Sequence, residues 1–237
     1  MSAAAAAPRR PHAILDRKSR LLKARKIAEL VGRVRPLEGA RVLDIGTGSG
    51  VIASALAELA GPDGAVSAVD VNDQRRVFEG YEFRRIEGTE LPFEDGAFDV
   101  VLSNHVIEHV GDRADQLRHL REVRRVLAGG GVCYLAVPQR WILVEPHFRL
   151  PFLSWLPQRI ADAYVRRARR GTFYDCRLLT RGRLLALAGE AGFTADEITV
   201  DAALAVARIE GGPLARMPER LLRTLRPLSP TLVYLLR

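Results

Sequence analysis

The sequence predicts an α/β fold, a mostly parallel sheet with helices on both faces. Two observations carry the prediction. Short apolar runs alternate with helical stretches through the first 138 residues, and the first of those runs opens into a glycine-rich turn. Such alternation implies right-handed crossovers and strands buried on both sides. With 237 residues, 48% apolar and 27% charged, the composition excludes a disordered chain, a collagen-like repeat and a small disulfide scaffold.

Each element has its own signal. Apolar positions Ile14, Leu15, Leu21, Leu22, Ile27, Leu30, Val31 and Val34 predict a helix over 14–34, with basic residues between them, stopped before Pro36. Arg41–Ile45 is a strand, Val51–Ala60 a helix ended by Gly61-Pro62, and Ala65–Asp70 a second strand. Glu82–Ile86 and Phe98–Ser103 follow as strands. Asp112 caps a helix with Leu117, Leu120, Val123 and Leu127 on one face, Gly129 to Gly131 end it, and Val132–Val137 is the fifth strand. After Pro138 the pattern breaks. Residues 139–183 mix Pro146, Pro151 and Pro157 with Trp141, Phe148, Phe152, Trp155 and Tyr164, then an arginine-rich helix, Ile160–Arg170; this reads as an insertion over one end of the sheet. Leu184–Ala191 is helix, Leu214–Leu225 is amphipathic, and Thr231–Leu236 is a strand.

Charge is unevenly placed. Lys+Arg is 36 and Asp+Glu 28, a net of +8, and all but three of the basic residues are arginine. Residues 1–37, 149–183 and 208–237 are basic, whereas the remainder is acidic. Basic flanks meet phosphates, anionic lipid or an acidic substrate, or are simply solvated. Two cysteines, Cys133 and Cys176, match no redox or metal spacing, so a cytoplasmic protein without a metal is expected. The alanine run Ala3–Ala7 is too short for a signal segment, and no stretch approaches the roughly 18 apolar residues of a spanning helix.

The most specific signal is Val42-Leu43-Asp44-Ile45-Gly46-Thr47-Gly48-Ser49-Gly50. Alternate glycines after a strand allow a tight turn and close approach of a ligand, and the following helix offers free amides. Asp70 ends the next strand, where a carboxylate can take two ribose hydroxyls. The dinucleotide fingerprint is missing, because Val51 and Ala53 stand where its third glycine would be, and no lysine follows as in a P-loop. A nucleotide-dependent oxidoreductase is therefore disfavoured.

The series D-I-G-T-G-S-G at 44–50, Asp70, Leu91-Pro92-Phe93-Glu94-Asp95-Gly96-Ala97-Phe98-Asp99-Val100-Val101, Val106-Ile107-Glu108-His109-Val110 and Arg125-Val126-Leu127-Ala128-Gly129-Gly130-Gly131 resembles the class I S-adenosylmethionine-dependent methyltransferases, in their small-molecule (type 11) branch. The resemblance covers about 41–138. It implies a Rossmann-like seven-stranded sheet, mostly parallel with the last strand antiparallel, and Thr231–Leu236 is the candidate for that strand. It divides the chain into a tail and basic helix (1–37), a cofactor-binding core (38–138), a lid (139–183) and the rest of the core (184–237). It implies S-adenosyl-L-methionine as cofactor, with Gly46, Thr47, Gly48 and Gly50 along the methionine part, Asp44 beside its amino group, Asp70 on the ribose and Val71 against adenine. Gly88 and Thr89 lie in Glu87-Gly88-Thr89-Glu90, where many relatives place an aspartate that this chain lacks. Asn104 follows the fourth strand, near the methionine moiety.

Methyl transfer from an activated donor needs alignment and exclusion of water more than a catalytic constellation, and a base only when a hydroxyl loses its proton. His109 is the candidate base, with packing of Glu108-His109 on the next helix as the plainer reading. Glu145, His147 and Trp141 are candidate substrate contacts in the lid; His12, His105 and His119 read as incidental, although His105 is near enough to Asn104 to line the pocket. The run Trp141 to Pro157 resembles lids of methyltransferases in bacterial surface-glycan and lipid-linked sugar pathways. Aromatic residues among arginines suit peripheral docking on an anionic membrane. The expected acceptor is a small or lipid-linked molecule, a sugar hydroxyl among the candidates. A nucleic-acid acceptor is disfavoured, because Asn104-His105-Val106-Ile107 stands where an Asn-Pro-Pro-Tyr tetrad would stack a flipped base. A cofactor-binding protein without turnover is the non-enzymatic alternative. The sequence leaves the oligomeric state open.

Overall fold

A computed structural model describes residues 16–237. The expected tail with Ala3–Ala7, His12, and the first helical positions Ile14 and Leu15 lie outside the described residues.

Helix α1 (Arg17–Gly32) starts where the Asp16 side chain accepts the Ser19 amide at 2.8 Å. Strand β1 (Arg41–Ile45) leads through the glycine loop to α2 (Val51–Ala60), followed by β2 (Ala65–Asp70), β3 (Glu82–Arg85) and β4 (Phe98–Asn104). Helix α3 (Arg113–Val126) is held by a capping box between Asp112 and Asp115 and runs directly into β5 (Leu127–Pro138). The glycines at 129–131 therefore belong to the strand and do not end the helix, contrary to expectation. The register with β4 slips there, with Phe98 opposite Leu127 and Val100 opposite Val132, and a side chain at Gly131 would meet the Asp99 carbonyl.

The sheet has seven strands in the order β3-β2-β1-β4-β5-β9-β8, where β8 is Ala195–Glu197 and β9 is Thr231–Leu236. The first five are parallel, and β9 runs antiparallel to both β5 and β8. Thr231–Leu236 is thus the antiparallel strand expected, placed inside the sheet and not at its edge.

Alternation along the strands builds two apolar layers. Leu43, Ile45, Val101, Cys133 and Leu135 face α3 and α5 (Arg181–Glu190). Val42, Val100, Leu102, Tyr134 and Ala136 face α1, α2 and α6 (Thr199–Glu210). Both β8 and α6 lie where the sequence offered no element, and Leu214–Leu225 divides into a 3-10 turn and α7 (Glu219–Leu225).

The segment after β5, expected as a lid, has a small core of its own. A two-stranded hairpin, β6 (Val144–Glu145) with β7 (Leu150–Pro151), packs with α4 (Gln158–Arg167) around Phe148, Leu153, Ala161, Val165, Tyr174 and Cys176. It is fastened to the main core by the Arg177 amide, which donates to the Glu108 carbonyl at 2.7 Å, and by Gln116 Nε2, which donates to the Arg177 carbonyl at 2.9 Å.

Candidate active site

Strand order reverses at β1, with β2 and β3 on one side and β4 and β5 on the other. Ligands of open α/β sheets bind at the carboxyl ends of the strands flanking such a point. Here those ends are the loop Gly46–Gly50, Asp70 and the segment from Asn104.

Gly46, Gly48 and Gly50 all have positive φ, at 71°, 57° and 77°. Two of them also answer to the chain's own packing. A Cβ on Gly46 would lie 2.6 Å from Val106 Cγ2, and one on Gly50 would strike Val77 and Tyr81. The glycines are thus required by conformation and by neighbouring side chains as well as by any ligand. The Gly48 amide donates to Asp70 Oδ2 at 2.9 Å, and the Asn72 amide donates to Oδ1 at 3.1 Å.

Asp44 is buried at the end of β1, and burial pushes its carboxyl up to about 6; the nearby Arg20 guanidinium opposes that shift and Asp70 adds to it. Arg20 is itself only 7% exposed. It lies on the inward stripe of α1 with Ala24, Ile27 and Val31. Lys23 and Lys26 are half-buried on the same side, Lys26 Nζ lying 5.8 Å from the Tyr134 ring centre, and burial pulls its ammonium down to about 8. The basic helix therefore turns part of its charge toward the cleft instead of solvent. Buried polar atoms converge here: Thr47 bonds the Asp44 carboxylate and also opposes its upward shift, while Ser49 Oγ and both amide atoms of Asn104 have no partner among the described residues.

Past β4 the chain makes a sharp turn. His105 has φ +60°, a conformation uncommon outside glycine, while its amide still donates to the Ala136 carbonyl at 2.8 Å. Glu108 sits on a 3-10 turn (Ile107–His109), 1% exposed, with His105 Nδ1 at 3.5 Å and His109 Nε2 at 4.0 Å from its Oε1. Burial raises the Glu108 carboxyl, but His105, His109 and His147 outweigh it and hold it below its ordinary value. Burial lowers His105.

From the lid, Glu145 is fully buried. Its Oε2 accepts the amides of His147 and Phe148 at 2.8 and 2.7 Å, and its Oε1 meets His147 Nδ1 at 2.7 Å. Burial lowers His147, yet the Glu145 bond and nearby carboxylates leave it above its ordinary value. The His109 and His147 rings stand edge to face, 4.7 Å apart at 85°. Cys176 Sγ lies 3.7 Å from His109 Nδ1.

The fold thus brings together Asp44, Thr47, Gly48 and Asp70, and on the adjoining side Asn104, His109, Glu145 and His147. Val71 is exposed at the rim after β2. Gly88 is exposed beyond β3, and Thr89 lines a different groove, of about 1140 Å³, with Leu91, Phe93, Arg121 and Glu122. Trp141 does not join the cluster. It is 53% exposed on the outer lid surface, edge-on to Trp155. His119 is buried in the core against Ser103 Oγ at 2.9 Å, in keeping with an incidental role. Sequence reasoning passed over Arg20, named His105 only as able to line the pocket, and gave Cys176 no role. For Arg20 a signal existed, its spacing with Ala24, Ile27 and Val31 on one helix stripe; Cys176 had none.

Residues 43–135 match a family model described as "Methyltransferase domain". This region is a methyltransferase domain. It is similar to a ubiquinone/menaquinone biosynthesis C-methyltransferase of Xanthomonas oryzae, 32% identical over 151 residues that cover 56% of this chain and 58% of the relative. It is also similar to a ubiquinone biosynthesis O-methyltransferase of Azorhizobium caulinodans, 30% identical over 171 residues, covering 70% and 63%. The chain spans about half the length of the curated relatives it matches. Among solved structures, the S-adenosylmethionine-dependent methyltransferase of Mesorhizobium loti superposes with TM-score 0.60 at 19% identity, covering 91% of this chain and 99% of that one. A methyltransferase of Aquifex aeolicus gives 0.53 at 16%, covering 76% and 90%. These two likenesses extend the methyltransferase domain's fold well beyond the matched segment, into the C-terminal strands.

Proposed function

We propose that this protein is an S-adenosylmethionine-dependent methyltransferase acting on a small-molecule or lipid-linked acceptor. The supporting observation is the set of buried polar side chains, Asp44 with Thr47 and the unpartnered Ser49 and Asn104, gathered beside Asp70 at the point where strand order reverses. Buried polar groups of this kind suit a ligand that carries an ammonium group, a carboxylate and hydroxyls.

When bound, S-adenosylmethionine supplies a methyl group on a sulfonium, which an acceptor nucleophile displaces in line. In this reading Asp70 takes the ribose hydroxyls and Val71 packs on adenine. Asp44, ionised above about pH 6, attracts the ammonium. Thr47 and Asn104 bond the amino-acid end, and Arg20 offsets the two acids from α1. A hydroxyl acceptor passes its proton to an imidazole backed by Glu108, either His109 or His105. The buried Glu108 carboxylate then stabilises the imidazolium.

The lid supports an amphiphilic acceptor. Trp141, Leu143, Phe152, Trp155 and Ile160 are exposed together with Arg149 and Arg159, a surface suited to an anionic bilayer. No helix among the described residues is long and apolar enough to cross a membrane. The inward turn of Arg20, Lys23 and Lys26 removes part of the charge that a phosphate backbone would need.

The test is transfer of isotope-labelled methyl from S-adenosylmethionine into separated lipid and water-soluble extracts. Label in the lipid fraction supports the lipid-linked acceptor. Label confined to the soluble fraction overturns that part, and label in neither overturns the reading as a whole.

A further inference from the structure

We infer that His109, His147 and Cys176 form a binding site for a divalent metal ion of the zinc class, joining the lid to the core. The absence of a metal was expected from linear spacing alone. In the folded chain one ligand atom from each of these three residues lies within 4.8 Å of the others. They come from three separate segments, the turn after β4, the tip of the lid hairpin and the strap that follows α4.

The distances fit. A tetrahedral zinc ion, with bonds of about 2.3 Å to sulfur and about 2.0 Å to nitrogen, separates those two ligands by about 3.5 Å. Cys176 Sγ and His109 Nδ1 are 3.7 Å apart. The His147 ring stands edge to face with the His109 ring, centres 4.7 Å apart, so a second imidazole adjoins this pair.

The surroundings fit as well. Imidazoles that bind metals turn their other nitrogen to a carboxylate or carbonyl. Glu145 meets His147 Nδ1 at 2.7 Å, so a metal would take Nε2. Glu108 Oε1 lies 4.0 Å from His109 Nε2, so a metal would take Nδ1, the atom facing Cys176. Both carboxylates are buried. A plain thiol–imidazole hydrogen bond accounts for the Cys176–His109 contact. It accounts for neither the second imidazole nor the paired carboxylates.

Two nitrogens and one sulfur favour zinc, and cobalt as its spectroscopic stand-in, over magnesium or calcium. Binding forms a metal–sulfur bond and releases the Cys176 thiol proton to solvent. Three protein ligands leave a fourth position for water or an acceptor oxygen. With His109 engaged in this way, His105 becomes the imidazole placed for proton transfer.

The test uses the full chain, stripped with a chelator and then dialysed against zinc or cobalt without any methyl donor, so it is independent of the methyltransferase reading. The expected result is one equivalent of zinc and, with cobalt, a thiolate charge-transfer band, in both the natural protein and Cys133→Ser. Cys176→Ser and His147→Ala lose the metal, and Glu145→Gln weakens binding about 10–100-fold. Folding of each variant is read from its circular dichroism. Should Cys176→Ser fail to fold, the cobalt spectrum of Cys133→Ser decides, because Cys176 is then the one thiol present. A substoichiometric zinc content, a spectrum without the thiolate band, or a band that survives Cys176→Ser overturns the inference and leaves the thiol–imidazole bond as the whole of the contact.

Discussion

The Gly48 amide donates a 2.9 Å hydrogen bond to the Asp70 carboxylate, so the glycine loop and the acid of the neighbouring strand hold each other in place. The acid that would receive a ribose is also the brace of the loop beside it.

That double role separates two substitutions. Asp70→Asn keeps an acceptor for Gly48 and should melt within a few degrees of the natural protein, yet bind S-adenosylmethionine at least about 10-fold more weakly, a loss of about 1.5 kcal/mol. Asp70→Ala should lose both stability and affinity. Thermal melts with and without cofactor check this. At about 100 times its dissociation constant the cofactor adds roughly 2.7 kcal/mol, a shift on the order of 5–10 °C in the natural protein. A full shift in Asp70→Asn would remove Asp70 from the cofactor site.

With Asp44 against the cofactor's ammonium, as proposed, cofactor binding is predicted to depend on pH. Its carboxyl titrates near 6 and is neutral below that, whereas the cofactor's amino group stays protonated, with an ordinary value near 7.7–8.0. Affinity should therefore fall as pH drops from 7 to 5. Asp44→Asn should bind weakly and show no such step, and Arg20→Ala should move the step to higher pH. Titration calorimetry across this range gives the answer; a step that persists in Asp44→Asn assigns it elsewhere.

His119 sets a second pH dependence, in stability alone. Burial pulls its imidazole down to about 4 from 6.5. The native state therefore binds fewer protons than the unfolded chain in that interval. The stability it confers is complete above pH 6.5 and is lost as pH falls toward 4. Between pH 7 and 4.5 the loss is on the order of 2–3 kcal/mol. Urea unfolding of the natural protein and of His119→Gln at both pH values should show the variant losing that much less.

The outer lid can be changed without touching the lid core. Trp141→Ala and Phe152→Ala remove half-exposed rings, and each should weaken sedimentation with anionic vesicles about 10-fold while leaving the melting temperature nearly unchanged. Neutral vesicles and high salt should reduce binding of the natural protein. Equal sedimentation of all three proteins would count against membrane docking.

Much of the core was legible because its signals are local. The strands read at Arg41–Ile45, Ala65–Asp70 and Phe98–Ser103 are near-continuous apolar runs, and the turn after Ile45 needs glycines that the chain displays in order. Strand Ala195–Glu197 was illegible: three residues at a sheet edge, two of them acidic, carry no alternation. The glycines at 129–131 misled because glycine both ends helices and permits bulges, and only pairing with Phe98 and Val100 decides between them. The cofactor loop was readable for the same reason as the strands. The cluster of His109, His147 and Cys176 was not, because tertiary folding alone unites its three segments. The left-handed turn at His105 left no trace in composition, and the exposed Trp141 shows that an aromatic near a pocket in sequence need not enter it.

The placement of Thr231–Leu236 also bears on how the chain is made. This strand pairs with Cys133–Pro138 on one side and Ala195–Glu197 on the other, so the sheet is completed by a segment synthesised about ninety residues after the strand it covers. Until it emerges from the ribosome, the fifth strand presents an open apolar edge, the kind of surface that nascent chains bury by aggregation or by chaperone capture. Substitutions in Leu232–Leu236 should accordingly harm soluble yield in cells more than they harm the equilibrium stability of the finished protein.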